Sequence, residues 1–137
     1  MAITLTESAA TRVKDYLARV EAETTVLLQL ETAAALAQAE DIAAVDGVDG
    51  IFFGPADIGA NIGKPGNPMD PEIWALIRPV AQKLIARGMP VGTLVSDPGF
   101  AADLMDKGFT FVACGLDTGL LARAADNLLA DVKDRLD

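Results

Sequence analysis

Two carboxylates in this chain stand where a parallel α/β fold keeps its chemistry. Glu31 follows the apolar run Val26-Leu27-Leu28-Gln29-Leu30, and Asp57 follows Gly50-Ile51-Phe52-Phe53-Gly54-Pro55-Ala56. If both runs are strands of one parallel sheet, both acids reach the same rim, beyond the carboxyl ends of the strands, where such folds bind their ligands. Carboxylate oxygens on adjacent strands suit a hard cation such as Mg²⁺ or Mn²⁺, with water and a chelating ligand completing an octahedron. Spacing alone leaves a second reading open, in which Glu31 stabilises the N-terminus of the helix after it and Asp57 caps a turn.

The elements that must position these acids recur as four pairs of a short apolar run and a helical pattern. The runs cover residues 26–30, 50–53, 90–95 and 109–114, and the helical patterns cover 32–45, 71–87, 99–107 and 118–136. Continuous apolar runs are what strands show when both sheet faces are covered, and strand–helix alternation predicts right-handed βαβ units. Asp70 before Pro71 reads as a helix cap, and Gly88 as the left-handed residue that ends that helix. Asp117 with Thr118 reads as the cap of the last helix, after a tight turn at Gly115. Thr6 caps a helix over residues 7–20, and residues 1–6 read as a short strand. Residues 54–70, rich in glycine and proline, read as an irregular loop too long to be a simple connector.

Composition narrows the chemistry. The chain has 137 residues, 51% hydrophobic and 23% charged, which bounds it to one folded domain. That is too short for a complete (β/α)8 barrel of roughly 250 residues. A mean hydropathy of +0.31 implies that some apolar surface meets a partner. The net charge of −9, with no basic cluster, argues against nucleic acid or a membrane surface as partner. No stretch is apolar enough to span a bilayer, and the N-terminus lacks a secretory pattern, so the cytoplasm is the expected compartment. One cysteine and no histidine exclude an internal disulfide, the usual zinc sites and histidine-based triads.

The remaining conspicuous side chains have plain readings. Cys114 reads as a small core residue, Trp74 as packing, Asp97 and Asp117 as caps, and Arg123 as a packing or subunit contact. A Schiff-base enzyme needs a buried lysine of lowered pKa. Lys14, Lys83, Lys107 and Lys133 fall on helical patterns and Lys64 in the loop, where solvation is expected. A phospho-acceptor domain also carries acids at strand ends, but it leaves Gly54-Pro55-Ala56-Asp57 unexplained.

Longer strings carry a resemblance. Val26-Leu27-Leu28-Gln29-Leu30-Glu31-Thr32 and Val45-Asp46-Gly47-Val48-Asp49-Gly50-Ile51-Phe52-Phe53-Gly54-Pro55-Ala56-Asp57 resemble the HpcH/HpaI family of class II pyruvate aldolases. The likeness continues through Gly63-Lys64-Pro65-Gly66-Asn67-Pro68 and Phe111-Val112-Ala113-Cys114-Gly115-Leu116-Asp117-Thr118-Gly119-Leu120-Leu121-Ala122-Arg123-Ala124-Ala125, in register over about residues 12–130. It implies an α/β fold of about four parallel βα units, the C-terminal half of a TIM barrel. It also implies a divalent metal, Mg²⁺ or Mn²⁺ with Co²⁺ as a further option, held by Glu31 and Asp57. Gln29 would assist beside the metal, and Gly54, Pro55, Ala56 and Asp57 would receive pyruvate. As a Lewis acid the metal would stabilise the enolate formed when a 4-hydroxy-2-oxo acid splits into pyruvate and an aldehyde; aldol addition is the reverse.

The likeness covers half of the family barrel. The other half supplies, in the family, an arginine for the pyruvate carboxylate and a histidine for proton transfer, and a chain without histidine has no candidate for the second role. Residues 1–11 form an atypical extension that faintly resembles the start of an A-type iron–sulfur carrier, and residues 12–137 form the aldolase-like part. Four βα units cannot close a barrel. Two copies could complete one, or a single copy could flatten into an open doubly wound sheet. Family members form oligomers with exchanged C-terminal helices, so a homo-oligomer is expected. The rival function is a non-catalytic half-barrel serving as a structural or subunit-interaction module.

Overall fold

Thr6 opens the first helix of the computed structural model, which describes residues 6–136. Its hydroxyl accepts a hydrogen bond from the Ala9 N–H at 3.2 Å, and α1 runs Glu7–Glu23. The strand expected before it lies, apart from Thr6, outside the described residues. There follow β1 (Leu27–Leu30), α2 (Ala33–Ala37), α3 (Ala39–Ala43), β2 (Gly50–Phe53), α4 (Pro55–Asn61) and α5 (Pro71–Ala86). The chain finishes with β3 (Val91–Val95), α6 (Pro98–Asp106), β4 (Phe111–Cys114) and α7 (Asp117–Lys133).

The four strands are all parallel and lie in chain order, β1-β2-β3-β4. This is the α/β fold of four βα units expected from the sequence. A doubly wound sheet requires a reversal of strand order, and none occurs, so that alternative is excluded. Leu30, Ile51, Phe53, Val91 and Val95 point to one face, where they are buried with Leu36, Ala39, Ile58, Ile73, Ile77, Leu84 and Leu104 from α2 to α6. Thr93 lies among them fully buried, and its hydroxyl is satisfied by donating to the Phe53 carbonyl at 3.0 Å.

Among the described residues no helix layer covers the opposite face, contrary to what the continuous apolar runs suggest. In-register residues there include Gln29, Phe52, Gly92 and Phe111. The Phe52 and Phe111 rings meet at 5.9 Å between centroids. Gly92 between them leaves the space, since a methyl group there would lie 2.7 Å from the Phe111 carbonyl oxygen. Phe111 is 52% exposed and Leu27 41%. Helices α1 and α7 likewise bury no described side chain, so Tyr16, Leu17, Leu121 and Leu128 stand in solvent.

Three boundaries depart from the sequence reading. Residues 32–45 form two short helices, because Gln38 leaves helical geometry (φ −104°, ψ 8°), and the bend lets Leu36 and Ala39 both reach the core. Residues 54–70 are not irregular throughout: Pro55 serves as the first residue of α4, a position at which its missing N–H costs nothing. Glycine within α4 admits its neighbour, because a methyl group on Gly59 would sit 2.6 Å from Ile73 Cδ1. Leu116, not Asp117, occupies the cap position of α7; Gly115 turns the chain at φ +104°, and the Asp117 carboxylate accepts the Thr118 N–H at 2.7 Å. Asp70 and Asp97 cap α5 and α6 as expected, and Gly88 is left-handed at φ +78°.

Candidate metal and oxo-acid site

Parallel register brings the ends of β1 and β2 level, with Gln29 opposite Phe52 and Leu30 opposite Phe53. The Gly54 N–H then donates to the Leu30 carbonyl at 3.0 Å, so the two chains leave the sheet side by side. After β1, Thr32 caps α2 by accepting the Ala35 N–H, and the Ala33 N–H donates to Asn61 Oδ1 at 3.0 Å. Asn61 is the last residue of α4, so it ties the turn that carries Glu31 to the helix whose first turn carries Asp57. The sequence reading missed this clamp. Its only signal is an asparagine closing a helix hidden under a loop-like composition.

Glycine 54 shows how closely the polar side chains converge. A methyl group in place of its hydrogen would lie 3.0 Å from Gln29 Nε2, 3.1 Å from Asp57 Oδ2 and 3.3 Å from Glu31 Cγ. Gln29 Nε2 donates to Glu31 Oε1 at 2.9 Å, which fixes the orientation of that carboxylate. All three side chains are solvent-accessible. Among the described residues nothing donates a hydrogen bond to the Asp57 carboxylate, so it is not spent on capping a turn, and Thr32 caps α2 without Glu31.

The donor set fits a hard divalent cation. Among the described residues no group of three or more His, Cys, Asp or Glu side chains gathers, which leaves the pair of carboxylates and the Gln29 amide. One or two carboxylates, with the rest of the octahedron given to water and ligand oxygens, is the arrangement Mg²⁺ commonly takes. A soft or imidazole-seeking metal would find no ligand here.

A cleft of about 650 Å³ opens at this rim. Gln29, Gly54, Pro55, Ala56 and Asp57 are in its lining, and Glu31 is hydrogen-bonded to Gln29. Phe52 and Leu94 add apolar side chains to the lining, and Leu116, Thr118, Gly119 and Arg123 bring in the turn after β4 and the start of α7. Arg123 therefore lies at the cleft rather than in the core. Asp97 and Asp117 are not in the lining; Asp97 accepts the Phe100 N–H at 2.7 Å. Trp74 is packing, with its Nε1–H donating to the Pro68 carbonyl and Phe100 meeting its ring edge-on at 4.7 Å. Cys114 is exposed, not in the core, as the last residue of the edge strand β4.

Lys64 is held away from nucleophilic chemistry. Its ammonium pairs with Glu72 and lies 3.7 Å from Asp70. The hydrogen bond to Glu72, then the charges of Asp70 and Glu72, outweigh partial desolvation and raise its pKa above the ordinary lysine value. A group that is already protonated at neutral pH and is pushed further up stays protonated. Borohydride added with pyruvate is therefore expected to trap no lysine adduct, as read by intact mass, and a covalent adduct at Lys64 would restore the Schiff-base mechanism.

The family model of HpcH/HpaI aldolase/citrate lyase matches residues 2–124, a span that includes most of the segment read as atypical from the sequence. A hydroxypyruvate/pyruvate aldolase of Cupriavidus necator is 46% identical over 121 residues, covering 88% of this chain and 45% of that protein. A 4-hydroxy-2-oxo-heptane-1,7-dioate aldolase of Klebsiella pneumoniae is 43% identical over 119 residues, covering 87% of this chain and 45% of that protein. The chain thus spans about half the length of the curated relatives it matches. A crystal structure of an HpcH/HpaI aldolase/citrate lyase family protein from Burkholderia cenocepacia superposes with a TM-score of 0.81 at 29% identity, covering 97% of this chain and 52% of that one. Sequence match over most of its length and a shared arrangement of βα units agree, and this chain belongs to the HpcH/HpaI aldolase/citrate lyase family.

Proposed function

We propose that the chain is the metal- and pyruvate-binding part of a class II aldolase, a carbon–carbon lyase acting on 4-hydroxy-2-oxo acids to give pyruvate and an aldehyde. The observation that carries this reading is the convergence of Gln29, Glu31 and Asp57 on the empty side of Gly54, at the edge of a cleft large enough for a small acid. Glu31 and Asp57 hold a divalent cation, Mg²⁺ or Mn²⁺ with Co²⁺ tolerated, and Gln29 orients Glu31. When bound, that cation polarises the 2-oxo group and balances the negative charge that builds on its oxygen as the carbon–carbon bond breaks. Gly54 and Pro55 bring the backbone to the cleft, and the Ala56 and Asp57 N–H groups, in a first turn with no side-chain cap, face the pyruvate carboxylate. The apolar lining residues Phe52, Leu94 and Leu116 take the aldehyde carbon chain. The two relatives described above are named for aldolase reactions of this kind.

Titration of Mn²⁺ into metal-free protein, with and without pyruvate, tests the reading. Saturable binding strengthened by pyruvate supports it. Absence of binding leaves the rival, a structural or subunit-interaction module, which the uncovered sheet face independently favours.

Among the described residues no helix is long and apolar enough to cross a membrane, and we place the protein in the cytoplasm. We also infer a homo-oligomer. The edge strands β1 and β4 expose unpaired backbone, and one sheet face and both terminal helices expose leucines and aromatic rings that water does not favour. A second copy presents the same parallel edges and apolar face. Gel filtration at micromolar concentration should give more than a monomer's mass; elution as a monomer would overturn this assignment.

A further inference from the structure

We propose that Asn61 is a positioning residue of the metal site, which sets the separation of Glu31 and Asp57 and so makes the site select Mg²⁺ or Mn²⁺ over the larger Ca²⁺. The proposal rests on the function given above and concerns that same site. Asn61 and Asp57 stand four residues apart in α4, on one face of the helix, and Asn61 meets the turn after β1. There the N–H of Ala33, the first residue of α2, is one of the donors that a helix N-terminus leaves without an internal partner. Thr32 accepts the Ala35 N–H, and it is Asn61 Oδ1 that accepts from Ala33, at 3.0 Å and 28 positions along the chain.

This bond completes a frame around the two acids. Just before Glu31, the Leu30 carbonyl accepts the N–H of Gly54, which precedes Asp57, at 3.0 Å. Just after them, Ala33 is joined to Asn61. The segments that carry Glu31 and Asp57 are therefore tied to each other both upstream and downstream, and only the downstream tie is made by a side chain. Within the frame, Glu31 Cγ and Asp57 Oδ2 both lie within 3.3 Å of one point beside Gly54. Close convergence suits an ion that demands near-ideal octahedral geometry and short bonds, about 2.0–2.1 Å for Mg²⁺, whereas Ca²⁺ accepts about 2.3–2.6 Å in a flexible shell. A frame that keeps the acids together favours the smaller ion, and an opened frame gives up that preference.

Calorimetric titration of Mn²⁺ and of Ca²⁺, each with pyruvate present, into wild type and Asn61 variants tests the assignment, and amide exchange of the metal-free proteins reads the bond itself. Asn61→Leu keeps the bulk and removes the acceptor. Its Ala33 N–H should exchange faster than in wild type, and its Mn²⁺ affinity should fall by roughly tenfold or more, the scale for groups that orient a metal ligand. Its Ca²⁺ affinity should fall less, so that the preference for Mn²⁺ narrows. Asn61→Asp, which keeps an acceptor oxygen for the same N–H, should restore both the protection and the preference. Asp49→Ala removes the corresponding tie at the other end of the same two strands, where the Asp49 carboxylate accepts the Val26 N–H at 2.7 Å, and should leave the preference as in wild type. A preference that narrows equally in Asp49→Ala would reduce Asn61 to general support of the fold and overturn the proposal. Wild type without a preference overturns it too, as does an Asn61→Leu protein that keeps the wild-type preference or loses both ions alike. If wild type binds Mn²⁺ with pyruvate but fails these comparisons, the aldolase reading stands without this assignment; if it binds neither ion, both fall.

Discussion

Asp57→Ala should lose saturable Mn²⁺ binding in the presence of pyruvate, with affinity falling by more than about 100-fold and the fold intact. The size of the effect follows from the donor count. In the proposed site two carboxylates would hold the ion, and even outer groups that only orient a metal ligand are worth about 10–100-fold in affinity, so a ligand itself is worth more. The intact fold follows from what Asp57 does not do. It is exposed, it receives no hydrogen bond among the described residues, and the helix that carries it is anchored by buried Pro55, Ile58 and Gly59. Removing such a side chain shifts stability within about 0.5 kcal/mol. Glu31→Ala should behave alike, and Gln29→Ala should fall between it and wild type, because Gln29 acts by orienting Glu31. Unchanged calorimetric binding in Asp57→Ala would remove the aldolase site from this chain and leave the interaction-module reading.

The legible part of the molecule is the part governed by local rules. Apolar runs bounded by Gly, Pro and acids located all four strands within two residues, and Asp70, Asp97 and Thr6 announced their helices because capping is decided within four residues. Position singled out Glu31 and Asp57 as candidates, since a residue just past a parallel strand reaches the rim, but it left the capping reading open, and the metal role came from the family resemblance. What stayed hidden depends on tertiary context. Residues 55–61 carry a proline and a glycine that argue for a loop, yet Pro55 fits a first helical turn and Gly59 fits against Ile73. The break at Gln38 is set by the need to bury both Leu36 and Ala39. Arg123 reached the cleft because the Gly115 turn folds the start of α7 over the rim, a direction that no periodicity within α7 encodes. Uniformly apolar strands predicted two covered faces; among the described residues only one is covered, and the exposed apolar side chains of the other are what the proposed second copy would meet.

Gly54→Ala should weaken binding of Mn²⁺ with pyruvate by about tenfold or more while leaving the thermal midpoint close to that of wild type. The backbone at Gly54, φ −98° and ψ 83°, is open to alanine, so glycine is not required there by conformation. Space is what it supplies. The added methyl would press on Gln29 Nε2, Asp57 Oδ2 and Glu31 Cγ, each closer than ordinary contact, and all three belong to flexible, solvent-facing side chains that can retreat by a few tenths of an ångström. Retreat is cheap for the fold because no core residue moves. It is costly for the site, because small displacements of its donors degrade octahedral geometry that Mg²⁺ and Mn²⁺ hold within narrow limits. The variant thereby separates two causes that Asp57→Ala combines, since it keeps every donor and changes only their convergence. Binding as tight as wild type would show that the three side chains do not act together around Gly54. A large drop in thermal midpoint would mean that the methyl is relieved by moving the β2–α4 turn, and Gly54 would then be a packing residue.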